Sequence, residues 1–227
     1  MKSQTIAATH QHHLSDNRMH FRPEQIKLLV VDDHVIIRRG LKFFLDTHFG
    51  IKNFHEADTC IAVREMALAF EISHIILDLQ LNDGNSIEII SELLEQIPDL
   101  KILVYTMSPE EVFKSRLLKM GVTGYLNKQT DEQTVIDTMS AFFSGNLKKP
   151  EVASSEKSSN DPFSILSERE LTVMTYLLKG EGIKEISGRL NLKSSTVATF
   201  KARIFNKLSI SNIIDLKNLV ELYKSKK

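Results

Sequence analysis

Five residues, scattered along the chain, are of types that phosphoryl chemistry needs. They are Asp32 and Asp33 in KLLVVDD, Asp78 in HIILDLQLNDG, Thr106 in KILVYTM and Lys128 in GYLNK. Three carboxylates in one cleft repel one another unless a cation neutralises them, and hard oxygen donors with room for water suit Mg²⁺. A metal, an aspartate nucleophile, a hydroxyl and an ammonium group together make a site for phosphoryl transfer to a carboxylate. Singly they say little, because a strand-end Thr is usually a cap and a strand-end Lys is usually solvated. Their weight comes from falling together at the ends of successive strands.

Those strands are legible as short apolar runs: Lys27 to Asp33, Asn53 to Ala57, His74 to Leu79, Lys101 to Met107 and Gly124 to Asn127. Amphipathic runs between and after them predict helices over Val35 to Phe49, Thr59 to Phe70, Ser86 to Ile97, Pro109 to Met120 and Asp131 to Phe143. Ser108 with Glu111, and Thr130 with Gln133, have capping-box spacing, and Gly121 is placed to end a helix in the left-handed conformation. Five alternating strand-helix units predict an α/β fold: a doubly wound (βα)5 parallel sheet covered on both faces, with right-handed crossovers. Every strand's carboxyl end then points to one edge, where the crevice of such sheets lies.

With these motifs in place, residues from about Ile26 to Phe143 resemble a response-regulator receiver domain. The resemblance implies that Asp78 is the phosphoacceptor, that Asp32 and Asp33 hold Mg²⁺, and that Gln80 lends it a backbone carbonyl. It also implies Thr106 as the switch hydroxyl, Tyr125 as the aromatic that moves with it, and Lys128 as the partner of the phosphoryl group. Asn82 stands where the family often has proline and Ser86 where glycine is usual, which predicts a looser loop after Asp78. Met107 is bulkier than the small residue many receivers carry there, which predicts restricted access for the phosphodonor.

The zero net charge of the 227 residues conceals an asymmetry. Residues 24–145 carry 11 Lys plus Arg against 19 Asp plus Glu, a net of −8, whereas 163–227 carry 12 against 6, a net of +6. Two domains with different partners have this pattern. Residues 1–23 are polar and aperiodic, with His10, His12, His13 and His20, and read as a disordered tail; no Cys or acid framework accompanies them to fix a metal geometry. The receiver is expected over 24–144, a Ser-, Lys- and Pro-containing flexible linker over 145–162, and a basic helical domain over 163–227. One cysteine, Cys60, excludes an internal disulfide framework and reads as a small core residue. No apolar run approaches the ~18 residues of a membrane span, and the start lacks a signal-peptide core, so a soluble, cytoplasmic protein is expected.

In the basic segment Ser167 and Glu170 form a capping box, and a helix from Glu170 to Lys179 ends at Gly180. A short helix, Ile183 to Leu190, a turn, Asn191 to Ser194, and a third helix, Ser195 to Leu208, follow, with a fourth from Ile213 to Lys224. Two helices joined by a short turn in a basic domain suggest helix-turn-helix DNA binding, with a generic helical interaction module as the alternative. The stretch LSERELTVMTYLLKGEGIKEISGRLNLKSSTVATFKARIFNKL is similar to the LuxR-type signature over its whole length. Together the two resemblances imply a response regulator of the NarL/FixJ type, with the third helix in the major groove.

Helical spacing places Val197, Phe200, Ile204 and Leu208 on one inward face. Ser195, Ala198, Thr199, Ala202 and Asn206 lie opposite, with Thr196 beside them. Many relatives have Lys where Ala198 stands and His where Phe200 stands. Here Thr199 and the alanines suit thymine methyls and Asn206 suits adenine. Lys184, Lys193, Lys201, Arg203 and Lys207 are the candidates for phosphate contacts.

The expected activity is DNA binding controlled by a sensor histidine kinase that phosphorylates Asp78, with homodimers favoured after phosphorylation, no membrane partner and no enzyme activity beyond the receiver's own phosphotransfer and dephosphorylation. Two alternatives are a regulator that works without phosphorylation and a magnesium-dependent phosphohydrolase. The latter generally needs a second acid two residues beyond its nucleophile, where Gln80 stands. The composition of the reading face predicts a binding site with an A·T-rich core and affinity that falls steeply with salt. Binding-site selection checks this, and G·C-rich half-sites would refute it.

Overall fold

A computed structural model describes residues 21–83, 86–147 and 161–224. Residues 1–20 of the expected tail, with its four histidines, and most of the expected linker lie outside the described residues; the tail's last three residues instead belong to the fold, Phe21 packing against Phe49 and Phe143 and Pro23 opening a 3-10 helix, Pro23–Gln25. Five parallel strands form one sheet in the order β2-β1-β3-β4-β5: β1 Leu28–Val31, β2 His55–Ala57, β3 His74–Leu77, β4 Lys101–Thr106 and β5 Gly124–Asn127. Helices α1 Val35–Phe49, α2 Cys60–Ala69, α3 Ser86–Gln96, α4 Glu110–Lys119 and α5 Glu132–Phe143 alternate with them. A short 3-10 helix, Pro162–Ile165, starts inside the expected linker and leads into α6 Glu168–Lys179, α7 Ile183–Arg189, α8 Ser194–Leu208 and α9 Ile213–Lys224.

The central strands β1 and β3 are buried on both faces, so every side chain in them is apolar or shielded. One layer of core, with Leu28, Val30, Leu45, Leu103, Met139 and Phe142, lies under α1 and α5. The other, with Leu29, Ile75, Ile90, Val104 and Phe113, lies under α2, α3 and α4, and continues without a break through Leu81 into Met174, Tyr176 and Ile186 of the helical unit. Gly124 at the start of β5 has a local reason: a Cβ there would come within 2.9 Å of Leu103 Cδ1.

The first four strands are shorter than the apolar runs that encode them, and β5 keeps the expected bounds. Asp32 and Asp33 fall just beyond β1, and Asp78 just beyond β3, because the chain leaves the ladder there. Two expected capping boxes are corrected. At α4 the cap position is Pro109, and Ser108 turns its hydroxyl to Thr106 and Gln80 instead. At α5 the cap is Asp131, which accepts from the Thr134 amide. The box at Ser167 and Glu170 is present, and Gly121 (φ 106°) and Gly180 (φ 89°) are left-handed.

His74, at the start of β3, is buried edge-on against Phe142, and its Nε2 has no hydrogen-bond partner. Burial, with a smaller push from the Lys101 charge, lowers its pKa from 6.5 to about 4. The folded chain therefore keeps this ring neutral while the unfolded chain protonates it below pH 6.5. Stability is intact above that pH and is lost as pH falls towards 4. We expect about 2 kcal/mol less stability at pH 5 than at pH 7 from this residue. Urea unfolding of wild type and His74→Leu at the two pH values checks it, since the variant should lose that increment.

Candidate functional site

The site is built at the point where the chain, having placed β2 on one side of β1, crosses to place β3 on the other. At such switch points loops diverge and leave a crevice. Val31 stands opposite Leu77, so Asp32 and Asp78 emerge side by side, with the Asp78 amide donating to Val31 O at 2.9 Å. On the far side Thr106 ends β4, and its carbonyl accepts from the Lys128 amide at 2.9 Å. Strand pairing thus brings together residues 96 positions apart.

Lys128 Nζ lies 2.5 Å from Asp32 Oδ2 and 2.6 Å from Asp78 Oδ2, and all three side chains are at least 92% buried. Burial alone would discharge the ammonium, but Asp78 and Asp32 outweigh it and raise its pKa. The second oxygens of these acids are taken by backbone: Asp32 Oδ1 accepts from the His34 amide at 2.8 Å and Asp78 Oδ1 from the Gln80 amide at 3.2 Å. Asp33 differs. Its Oδ1 is buried without a hydrogen-bond partner, although His34 Nδ1 lies 2.6 Å away off the line such a bond needs. Burial raises the Asp33 pKa, the charges of Asp78 and Asp32 add to this, and His34 opposes it. One ammonium against three carboxylates leaves room for a cation, and ligand atoms from Asp32, Asp33, His34 and Asp78 all lie within 4.8 Å of one another.

Thr106 is fully buried and bonds Ser108 Oγ at 3.3 Å. Ser108 is the hub that the sequence did not reveal. Its hydroxyl also accepts from Gln80 Nε2 at 3.3 Å, and its carbonyl accepts from the Tyr125 hydroxyl at 2.6 Å and from Asn127 Nδ2 at 3.2 Å. Tyr125 therefore points inward, and burial raises its pKa.

The helical unit lies across the mouth of this crevice. Tyr176 on α6 donates to Leu81 O at 2.7 Å, Arg169 pairs with Glu88 at 2.6 Å, and Arg116 on α4 donates to Leu166 O at 2.6 Å. Arg189 bonds Asn82, so the residue at the family's usual proline position holds the neighbouring unit. A cavity of about 450 Å³ remains at the seam, lined by Gln80, Met107, Ser108, Lys179 and Lys217. Met107 is half-exposed at its edge.

On α8, Ser195, Thr199, Ala202, Arg203 and Asn206 are exposed, as are Lys184 and Lys193; Thr196, Ala198 and Lys201 are half-buried. The seam does not cover this face. Lys207 is committed within its own unit, paired with Glu170 at 2.7 Å and donating to Ile165 O at 3.1 Å. Val197, Ile204 and Leu208 point inward, whereas Phe200 is only half-buried and faces the seam beside Arg64 and Glu88. On α9, Leu216 and Val220 are buried while Ile214 and Leu222 are exposed.

Residues 28–140 match the response regulator receiver domain family, and 164–220 match the bacterial regulatory proteins of the luxR family. Response regulator GacA of Pseudomonas protegens is 31% identical over 198 residues, 84% of this chain and 93% of that protein. The chain is a response regulator of this family. Response regulator UvrY of Escherichia coli K12 is 29% identical over 202 residues, 86% of this chain and 93% of its own. Among solved structures, RcsB of Salmonella typhimurium aligns with a TM-score of 0.66 at 22% identity, over 87% of this chain and 98% of that one, which shows a shared fold. The regulator thus joins a receiver to a LuxR-type DNA-binding domain, and belongs with DNA-binding transcription regulators. Among the described residues no helix is long and apolar enough to cross a membrane.

Each polar contact across the seam is worth about 1 kcal/mol or less, so they must be removed together. The quadruple variant Arg116→Ala, Arg169→Ala, Tyr176→Phe, Arg189→Ala is expected to open the seam and enlarge the radius of gyration measured by X-ray scattering. Arg203→Ala, on the uncovered face of α8, should leave it unchanged.

Proposed function

We propose that the regulator binds DNA under the control of phosphorylation at Asp78, with a sensor histidine kinase as donor. The observation that carries this reading is the pairing of one buried ammonium, Lys128, with Asp78 and Asp32 beside an Asp33 oxygen that has no hydrogen-bond partner. An Asp78 oxygen attacks phosphorus, the bond from phosphorus to the donor's imidazole nitrogen breaks, and the electron pair leaves with that nitrogen. The hard oxygen donors fit Mg²⁺, held by Asp33 with Asp32, Asp78 and the Gln80 carbonyl; when bound it offsets charge on the phosphoryl oxygens. Lys128 exchanges its contact with Asp78 Oδ2 for a phosphoryl oxygen, and Thr106 leaves Ser108 for another. Ser108 carries that change to Tyr125 and to the start of α4, beside which the helical unit packs.

The seam then explains the coupling. A donor reaches Asp78 only when α6 and α9 move aside, so phosphorylation and the closed arrangement compete for the same chain. The reading face of α8 is already uncovered, so what opening supplies is the freedom to pair two copies. Homodimers place two α8 helices on half-sites about one helical turn apart. Ser195, Thr196, Ala198, Thr199, Ala202 and Asn206 meet base edges, and Lys184, Lys193, Lys201 and Arg203 meet phosphates, with Lys207 joining them only on leaving Glu170.

Incubation with acetyl phosphate and Mg²⁺ tests this. Wild type should acquire one acid-stable, hydroxylamine-labile phosphoryl group, Asp78→Asn none, and phosphorylated wild type should bind operator DNA at least tenfold tighter. Equal labelling of both proteins, or DNA affinity indifferent to the label, overturns the reading.

A further inference from the structure

Asp32 and Asp78 are nearly saturated by protein donors, since Lys128 takes one oxygen of each and backbone amides take the other. What faces the crevice without a hydrogen bond is Asp33 Oδ1, on a side chain only 8% exposed. Beside it, at 2.6 Å, stands His34 Nδ1, which is also 3.3 Å from Asp32 Oδ1. His34 occupies the cap position of α1 but makes no side-chain cap hydrogen bond, so its ring is not spent on holding the helix end.

We propose that His34 is a fourth protein donor to the cation in this pocket, and that its nitrogen strengthens the binding of Co²⁺, Ni²⁺ and Zn²⁺ relative to that of Mg²⁺. The inference rests on the metal-binding reading of the pocket and adds the nitrogen ligand that decides which ions it prefers. Octahedral dications hold ligands at about 2.1 Å, so neighbouring donors stand roughly 3 Å apart and opposite ones roughly 4.2 Å. The Asp33 to His34 separation is close to the first distance, and the 4.8 Å span of the four donor atoms accommodates the second. Mg²⁺ gains little from imidazole, whereas Fe²⁺, Co²⁺, Ni²⁺ and Zn²⁺ bind it well. An imidazole nitrogen next to carboxylate oxygens therefore separates the two classes of ion without excluding either. His34 is more than half exposed, so its ring can turn the short way needed to face an ion.

The competing account makes His34 a simple counter-ion of Asp33, and it predicts the opposite outcome. A cationic ring lying on Asp33 would hinder every dication, so its removal would tighten Mg²⁺ and Co²⁺ alike. The test uses the full chain with His10, His12, His13 and His20 changed to Gln, which removes the other closely spaced imidazoles. Mg²⁺ and Co²⁺ are titrated separately by calorimetry into this protein and into its His34→Ala form, and the visible absorption of bound Co²⁺ is recorded. Expected is a loss of Co²⁺ affinity of about tenfold or more in His34→Ala, Mg²⁺ affinity changed by no more than about twofold, and a shift of the Co²⁺ bands. Tighter binding of both ions, or parallel affinities with unchanged bands, overturns the proposal. Failure of the His34-containing protein to bind either ion overturns instead the metal-binding reading on which it rests.

Discussion

The structure depends on an electrostatic problem that strand pairing creates. Parallel β1 and β3 end in register, so Asp32 and Asp78 are delivered side by side into a site from which water is largely excluded. Like charges at that spacing are strongly unfavourable in a low-dielectric setting. Lys128, brought by the neighbouring end of β5 beyond β4, lies between them and bonds both. The ammonium relieves two carboxylates, and the third, on Asp33, keeps an unspent buried oxygen. A crevice with one unneutralised acid can still draw in a cation.

Much of this was legible in the sequence because it depends on strand ends. Short β-branched runs alternating with amphipathic ones imply a parallel sheet, and a parallel sheet puts Asp32, Asp33, Asp78, Thr106 and Lys128 on one edge whatever the details of the loops. Ser108 was misread for a physical reason. Its spacing to Glu111 satisfies a local capping rule, but the hydroxyl has stronger reasons to turn inward, towards Thr106 and Gln80, than to cap a helix that Pro109 already begins. Asp131 won over Thr130 in the same way, by being one residue closer to the first turn of α5. Local rules identify which residues compete for a position, and tertiary contacts choose between them.

The seam between the two units was not legible in the helical periodicity. Nothing in the periodicity of α6 distinguishes a face that packs on its own helices from one that also covers a neighbour, and almost the whole helix is buried: Leu171 to Leu177 have no exposed member. In retrospect the signal was there in composition. A helix of this size in a small four-helix unit has too little partner surface to bury Thr172, Thr175 and Tyr176 as well as its leucines, so burial on all sides implied a second partner. Asn82 was a similar signal. Set against the proline common in the family, it reads as a looser loop; in the folded chain its amide meets Arg189.

Two kinds of contact share that seam, and their difference matters for how it opens. The apolar contacts around Leu81, Met174 and Tyr176 are insensitive to charge at the crevice, whereas Tyr176 also grips the carbonyl of Leu81, three residues after Asp78. Rearrangement of the loop after Asp78 therefore moves the acceptor of that bond directly, and no long relay is needed between the proposed phosphoacceptor and the covering helix. The ion pairs Arg169 with Glu88 and Arg116 with Glu168 lie further out, where solvent screens them, and fix orientation more than affinity. A contact that is apolar at its centre, tied to the reactive loop by one buried hydrogen bond and guided by weak peripheral charges can be closed without being permanent. The exposed face of α8 stays outside it, so in the proposed function closure restrains pairing and phosphodonor access while leaving the proposed DNA contacts in place.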